Sequence, residues 1–277
     1  MTVIAETLGV SRSTLYDRIS GQAKSRGSYH KAGDAALLPL IRQIVATRPT
    51  YGYRRVTARL NRKRAEMGQS SVNHKRVYRI MEQNHLLLAR SHRERPERIH
   101  DGKVITMRSN LRWCSDGFEF ICWNDEIIRA AFILDTHDRE VMAWRAVINA
   151  GISGDHVRDM MLEAVERRFG TYRAPEPIEM LSDNGSAYTA RQTRIFAEQV
   201  GLKPCFTPVA SPQSNGMAEA FVKTFKRDYV QVNPLPDAQT VLKHIAGWFE
   251  DYSENHPHSG LKMRSPREFI RSQKQSA

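Results

Sequence analysis

Three consecutive strand-like runs constrain this chain more than any other feature. Residues 112–121, 127–134 and 141–147 are apolar-rich, and His137-Asp138-Arg139 marks the turn between the last two. Such runs bounded by turn residues read as strands, and connections this short join antiparallel neighbours. Beyond them the texture alternates. Residues 155–169 read as a helix with Val157, Met160, Met161, Ala164 and Val165 inward, and Pro175 and Pro177 precede a short strand at 179–182. A helix at 189–200, a strand at 203–206, a loop at 207–215 and helices at 216–229 and 238–254 follow. An antiparallel meander that gives way to alternating helices and strands predicts an α/β domain with a mixed sheet over residues 111–277.

The first part of the chain is helical instead. Leu37, Leu40, Ile41, Ile44 and Val45 keep helical spacing up to Pro49. A second helix carries Val56, Leu60 and Met67 and is closed by Gly68; a third starts near residues 71–73 with Val77, Ile80 and Met81 inward. Lys75, Arg76 and Arg79 are left outward, as on a helix that docks in a major groove, although charged helix faces are usually just solvated. Residues 2–20 read as a fragment of a further helix-turn-helix, with Ile4, Ala5 and Leu8 on one face, Ser11 as N-cap, and Arg12 and Tyr16 facing outward. The expected organisation is a partial helix-turn-helix at 1–27, a helical DNA-binding module at 28–88, a charged connector at 89–110 and the α/β domain at 111–277.

Charge supports that division. Residues 1–110 hold 22 Lys and Arg against 8 Asp and Glu, whereas residues 111–277 hold 20 against 22. A basic half favours a polyanionic partner, because each cation that meets a phosphate releases a counterion. No apolar run approaches the ~18 residues of a membrane span, and residues 1–10 lack the basic head of a signal peptide. Cys114, Cys122 and Cys205 form neither a disulfide framework nor a CxxC zinc site, and the histidines have no nearby cysteines. A reducing cytoplasmic setting, close to the nucleoid, is the expectation, with no membrane partner.

Three acids stand out by position. Asp116 lies inside the first strand, where a charge is unusual; Asp183 sits just past a core strand and is followed by Asn184-Gly185; Glu219 lies in the first turn of a helix leaving a loop. On that helix Ala218, Phe221, Val222, Phe225 and Tyr229 share an apolar face, while Glu219, Lys223 and Lys226 fall on an adjacent stripe. The stripe would suit a carboxylate on a metal with lysines along a phosphate backbone; equally, Glu219 and Lys223 would suit an ordinary i,i+4 pair. Three carboxylates are the donor set of hard divalent cations, which keep positions open for phosphate oxygens. Two such ions can activate the attacking oxygen of an in-line displacement and stabilise the leaving one. No Ser-His-Asp order, glycine-rich phosphate loop or helical HExxH competes with this reading.

The motifs around these acids resemble a known family. Trp113-Cys114-Ser115-Asp116, Leu134-Asp135-Thr136-His137-Asp138-Arg139 with Trp144, Ser182-Asp183-Asn184-Gly185-Ser186-Ala187-Tyr188, and the run from Ser211 to Lys226 are similar to the catalytic core of DDE transposases. The likeness is to the downstream-frame (OrfB) product of two-frame bacterial insertion sequences, relatives of retroviral integrases. The 35 residues between Asp183 and Glu219 match that family's final spacing, and Lys226 matches its basic position. Tyr51-Gly52-Tyr53-Arg54-Arg55 resembles its helical DNA-binding module; Tyr252, Asn255-His256-Pro257-His258 and Arg264-Ser265-Pro266 resemble its C-terminal signature.

The resemblance implies an RNase H-like fold, a mixed five-stranded sheet flanked by helices and preceded by all-α helix-turn-helix modules. It implies that Asp116, Asp183 and Glu219 meet around two Mg²⁺ ions, with Mn²⁺ as a substitute, Asp116 bridging both. The implied reaction is cleavage at the inverted-repeat ends of the element, then attack of the freed 3′-hydroxyl on another phosphodiester. Implied partners are double-stranded DNA of the ends and target, further copies of the chain on that DNA, and the upstream-frame protein or a frameshift fusion with it. Expected DNA contacts are Arg12, Tyr16, Arg54, Arg55, Lys75, Arg76, Arg79, Asn184, Lys223 and Lys226. Asp135 is expected to support the hairpin and Asp138 to sit in its turn; His256 and His258 are expected in packing or DNA contacts, and the four tryptophans in the core. Two other functions fit the same residues: a silent DNA-binding repressor derived from a transposase, and a plain nuclease.

Overall fold

The computed structural model describes residues 2–20, 31–89, 106–207 and 216–274. Five strands form one mixed sheet in the order β3-β2-β1-β4-β5. They are β1 (Arg112–Ile121), β2 (Ile127–Asp135), β3 (Val141–Ile148), β4 (Ile178–Ser182) and β5 (Leu202–Phe206). The first three pair antiparallel, and β4 and β5 run parallel to β1. The expected RNase H-like mixed sheet flanked by helices is therefore present. The meander strands begin where their apolar runs begin, since the turn residues between them cannot extend the ladder.

Side chains alternate across the sheet, so each face has its own core. Cys114, Phe118 and Phe120 of β1 and Leu181 of β4 face α9 (Gly216–Phe225) and α10 (Ala238–Asn255). There Phe132 and Phe221 pack as tilted rings with centroids 4.2 Å apart, and Phe225 and Phe249 at 4.5 Å. Truncating one of these rings to alanine would cost about 3–5 kcal/mol. Trp113, Ala131 and Ile133 face the other way, against α6 (Gly154–Phe169) and α8 (Arg191–Gln199).

The β2–β3 turn is built on Asp135, which is fully buried and accepts from the backbone N–H groups of Asn110 (2.7 Å), His137 (2.7 Å) and Asp138 (3.2 Å). Asp138, also buried, accepts from Ser109 and from Arg168 at 2.7 Å. Both acids are thus occupied by the hairpin.

Several boundaries differ from those expected. The helix expected at 189–200 starts only at Arg191, as α8, and a separate short helix, α7 (Ser186–Thr189), precedes it, because Ala190 is extended at φ −52°, ψ 135°. The helix at 216–229 ends at Phe225 and continues as a π turn, Lys226–Val230. That widening turns Asp228, Tyr229 and Val230 inward together, which 100° spacing would not do. A last helix, α11 (Pro266–Lys274), escapes the apolar pattern because only Pro266 in it is buried. Trp113 is buried, but Trp123 is 70 % exposed at the β1–β2 turn, so the tryptophans are not all core.

Before the sheet lie α1 (Thr2–Thr7), α2 (Arg12–Ile19), α3 (Asp34–Thr47), α4 (Tyr53–Glu66) and α5 (His74–Gln83). The last three share a core of Leu37, Ile41, Ile44, Val56, Leu60, Val77, Ile80 and Met81, the helical region expected there. Met67, expected inward, is exposed just past α4. In α1 and α2 only Ala5 is buried, while Ile4, Leu8 and Ile19 remain at the surface. Most of the connector expected at 89–110, and the loop at 208–215, lie outside the described residues. Among the described residues no helix is long and apolar enough to cross a membrane.

The helical module is fastened to the far end of the chain. Arg48 donates to Asp251 at 2.6 Å, the Tyr51 hydroxyl meets His256 Nδ1 at 3.1 Å, and Arg59 donates to Asn255 at 2.8 Å. Arg62 reaches Asn255, Ser265 and Glu268. The Tyr51–Arg55 motif and the C-terminal signature are two halves of one contact. His256 and His258 are both buried in it, so they pack rather than present themselves to DNA.

Candidate active site

Period-two alternation places Asp116 on the same face of β1 as Cys114 and Phe118, the face that α9 covers. On β4 the same parity links Leu181 to Asp183, one residue beyond the strand. Cys114 lies beside Leu181 in the parallel pair, so the register carried two residues further sets Asp116 next to Asp183. Glu219 approaches from above, in the first turn of α9. Three acids that are remote in the chain thus belong to one side of one sheet.

Their electrostatics agree. Burial, and then the charges of Asp183 and Glu219, push the Asp116 carboxyl up to about 6, against the one opposing hydrogen bond, from the Gly117 N–H at 2.8 Å. Asp183 and Glu219 are exposed. Among the described residues no Lys or Arg pairs with any of the three. The three are within electrostatic reach of one another, but they do not close into a finished ligand shell: among the described residues no three His, Cys, Asp or Glu side chains form such a group. Like charges with no cation between them repel, and a donor set of oxygens alone suits a hard divalent ion.

The loop after β4 is tightly organised. Asp183 Oδ1 accepts from the Gly185 N–H at 3.1 Å, and a Cβ on Gly185 would stand 3.0 Å from that same oxygen. Glycine is needed there for the close approach, not for an unusual φ. Asn184 donates to the Thr207 carbonyl at 3.0 Å, tying the loop to the end of β5. Tyr188, in α7, places its hydroxyl 2.7 Å from Ser115 Oγ, which also donates to the Phe132 carbonyl at 2.7 Å. Burial pushes the Tyr188 hydroxyl well up, so it stays neutral and bridges the Asp183 loop to the strand that carries Asp116. Reading residues singly missed this link; the signal was Tyr188 closing the Ser182–Tyr188 motif and Ser115 preceding Asp116.

The residues expected to touch DNA divide into two groups. Arg12, Tyr16, Arg54, Lys75, Asn184 and Lys223 are exposed, and Lys226 is half-buried. Arg55, Arg76 and Arg79 are engaged inside the protein. Arg55 pairs with buried Asp228 at 3.1 Å, and Arg76 and Arg79 hold Asp34 at 2.6 and 2.7 Å. Helical spacing put Arg76 and Arg79 outward, and the resemblance placed Arg55 on DNA, but a buried carboxylate on another element engages each guanidinium. Burial alone would raise Asp34; the Lys31 N–H and the two guanidinia overcome that and bring it to about 2.

Comparison with known proteins gives these features a context. Residues 107–212 match the profile of the integrase core domain, residues 200–266 a second integrase core profile, and residues 32–95 the HTH-like domain. Over 275 residues the chain is 48 % identical to the transposase InsD of insertion element IS2 from Escherichia coli, covering 98 % of this chain and 91 % of that one. It is 69 % identical over 189 residues to an uncharacterized protein of insertion element IS136 from Agrobacterium fabrum, covering 68 % of this chain and 97 % of that one. Among solved structures, the BIV integrase catalytic core superposes with a TM-score of 0.42 at 18 % identity, covering 60 % of this chain and 98 % of that one. The Mos1 mariner transposase catalytic domain superposes with a TM-score of 0.42 at 15 % identity, covering 51 % and 70 %.

Proposed function

Because this chain belongs to the insertion-element transposases that carry an integrase core domain and an HTH-like domain, we propose that it cuts and joins DNA at the ends of its element, with Asp116, Asp183 and Glu219 as the catalytic carboxylates. The observation that carries this reading is the raised Asp116, whose shift comes from burial and from the two other acids. A protein that needed these residues only for folding would gain by pairing them with cations. Instead they stand unpaired among the described residues, on one side of the sheet.

In this reading Asp116, Asp183 and Glu219 would be the residues that hold two Mg²⁺ ions, Asp116 as the buried, central ligand. The ions, when bound, would activate the attacking oxygen and stabilise the leaving oxygen of the phosphodiester. The residues of the chain do the rest. Tyr188 and Ser115 keep the Asp183 loop against β1, Gly185 lets that loop turn back on its own carboxylate, and α9 presents Glu219 with Lys223 on the same exposed face. Lys223 and Lys226 lie along the phosphate backbone, and Arg12, Tyr16, Arg54, Lys75 and Asn184 supply further DNA contacts. Cleavage of the inverted-repeat ends and attack by the freed 3′-hydroxyl require no protein nucleophile. Further copies of the chain, and the upstream-frame protein or a fusion with it, complete the assembly on DNA.

The test uses purified protein, duplexes carrying the terminal inverted repeat, and Mg²⁺ or Mn²⁺. Asp116→Asn, Asp183→Asn and Glu219→Gln should each abolish strand transfer and leave end binding intact. Strand transfer by any one of these variants removes that residue from the set, and nicking in EDTA overturns the metal role.

A further inference from the structure

The geometry points to a second DNA contact, a phosphate-binding groove between α4, the start of α5 and the turn at 257–264. It rests on the reading of the chain as an end-binding transposase, and the duplex it would take is the element end held by the helical module. The groove encloses a cavity of about 600 Å³ lined by Arg54, Arg59, His74, Lys262 and Arg264, with Glu268 as the one acid. Glu268 is already occupied, accepting from Arg62 and from the Ser265 N–H at 2.8 Å.

The cations are available. Arg54 donates to the Tyr53 hydroxyl, Arg59 to the Asn255 amide oxygen and Arg264 to the Ser272 hydroxyl, all neutral acceptors. Among the described residues none of Arg54, Arg59, Lys262 and Arg264 takes part in an ion pair. Four such cations gathered around a single carboxylate that Arg62 already holds repel one another, an arrangement that a polyanion relieves.

The turn that supplies two of them is held in an unusual shape. Lys262 and Met263 are consecutive non-glycine residues at φ 54° and 63°, in the left-handed region. The turn is pinned from below by buried His258 and Leu261, through Met263 N–H to the His258 carbonyl (2.8 Å) and His258 N–H to the Arg264 carbonyl (3.0 Å). Backbone strain of this kind persists where the surroundings over-determine it, and it gathers at ligand-binding sites. Here it leaves Lys262 and Arg264 exposed on a rigid base. Across the groove, Asn73 caps α5 and exposed Lys75 follows, so a duplex lying on α5 would carry its backbone along the same track.

Binding of the full chain to an inverted-repeat duplex and to an unrelated duplex of equal length, over a salt series, tests the groove. The double variant Lys262→Ala, Arg264→Ala should bind the end duplex about tenfold or more weakly, with a log–log salt slope shallower by about 2, since each lost phosphate contact removes about 0.9. Arg54→Gln, away from the strained turn, should lower the slope by about 1. Lys262→Gly relieves the strain and should raise the melting temperature while still weakening binding. An unchanged slope and affinity in a folded double variant overturns the groove and leaves end binding standing. A loss confined to the unrelated duplex overturns the assignment to the element end. Wild-type protein that does not prefer the end duplex sinks the end-binding reading, and the groove with it.

Discussion

Arg55 donates to Asp228 at 3.1 Å across 173 residues of sequence, joining the first turn of α4 to the π turn that follows the helix carrying Glu219. Asp228 is 1 % exposed at its side chain and also accepts from Arg227 at 2.6 Å, with His256 Nε2 at 3.7 Å. The helical module and the helix that bears the third acid are thus fixed to one another through a buried charge.

Removing either partner of that contact should have unequal effects. Asp228→Ala leaves two guanidinia facing each other and should destabilise the protein by about 3 kcal/mol. Arg55→Ala leaves Asp228 still paired with Arg227 and should cost about 1 kcal/mol. Denaturant melts of the two variants check this, and equal losses would contradict it.

Metal-free protein should carry a pH-dependent strain at Asp116. Its folded carboxyl, at about 6, lies above the ordinary 3.8, so folding is penalised as pH rises through about 6 and is free of the penalty below about 3.8. Asp116→Asn should therefore raise stability at neutral pH by on the order of 1 kcal/mol, allowing for solvent screening. Mg²⁺ should raise the melting temperature of the wild type more at pH 7.5 than at pH 5, and hardly at all in the variant. A variant with an unchanged melting temperature in EDTA would refute the strain.

Asp34 has the opposite sign. Its folded value of about 2 lies below 3.8, so its contribution is complete above about 3.8 and is lost as pH falls through about 2. Asp34→Asn should cost about 1 kcal/mol near neutrality and flatten the acid limb of the stability curve. Thermal melts between pH 2 and pH 5 measure both.

Tyr188→Phe separates positioning from folding. Ser115 keeps its bond to the Phe132 carbonyl, so the loss of stability should be about 1 kcal/mol. Freeing the Asp183 loop from β1 should lower the rate of end cleavage at saturating DNA, with little change in DNA affinity. Wild-type turnover in this variant would remove the positioning role.

The meander strands were legible because an apolar run between turn residues reports burial locally. The face shared by Ala218, Phe221 and Phe225 was legible for the same reason, and so was Ser11 as an N-cap, which accepts from Thr14 N–H. The pairing of Arg55, Arg76 and Arg79 was not legible because the acid that holds each lies 173, 42 or 45 positions away. Nothing in the local pattern separates a solvated arginine from a committed one. Trp123 was misread because apolarity predicts burial only where another element arrives to cover it.

Residue order alone determined the five strands, most of the helices with their apolar faces, and the three acids, since periodicity, turn chemistry and motif spacing are properties of neighbours. Tertiary structure alone decided that Asp116, Asp183 and Glu219 share one side of the sheet, that the Tyr51–Arg55 motif seats against His256, and which arginines pair with carboxylates. Those outcomes depend on register and on charges meeting across the fold, where the free energy of a buried group is set by whatever distant segment reaches it.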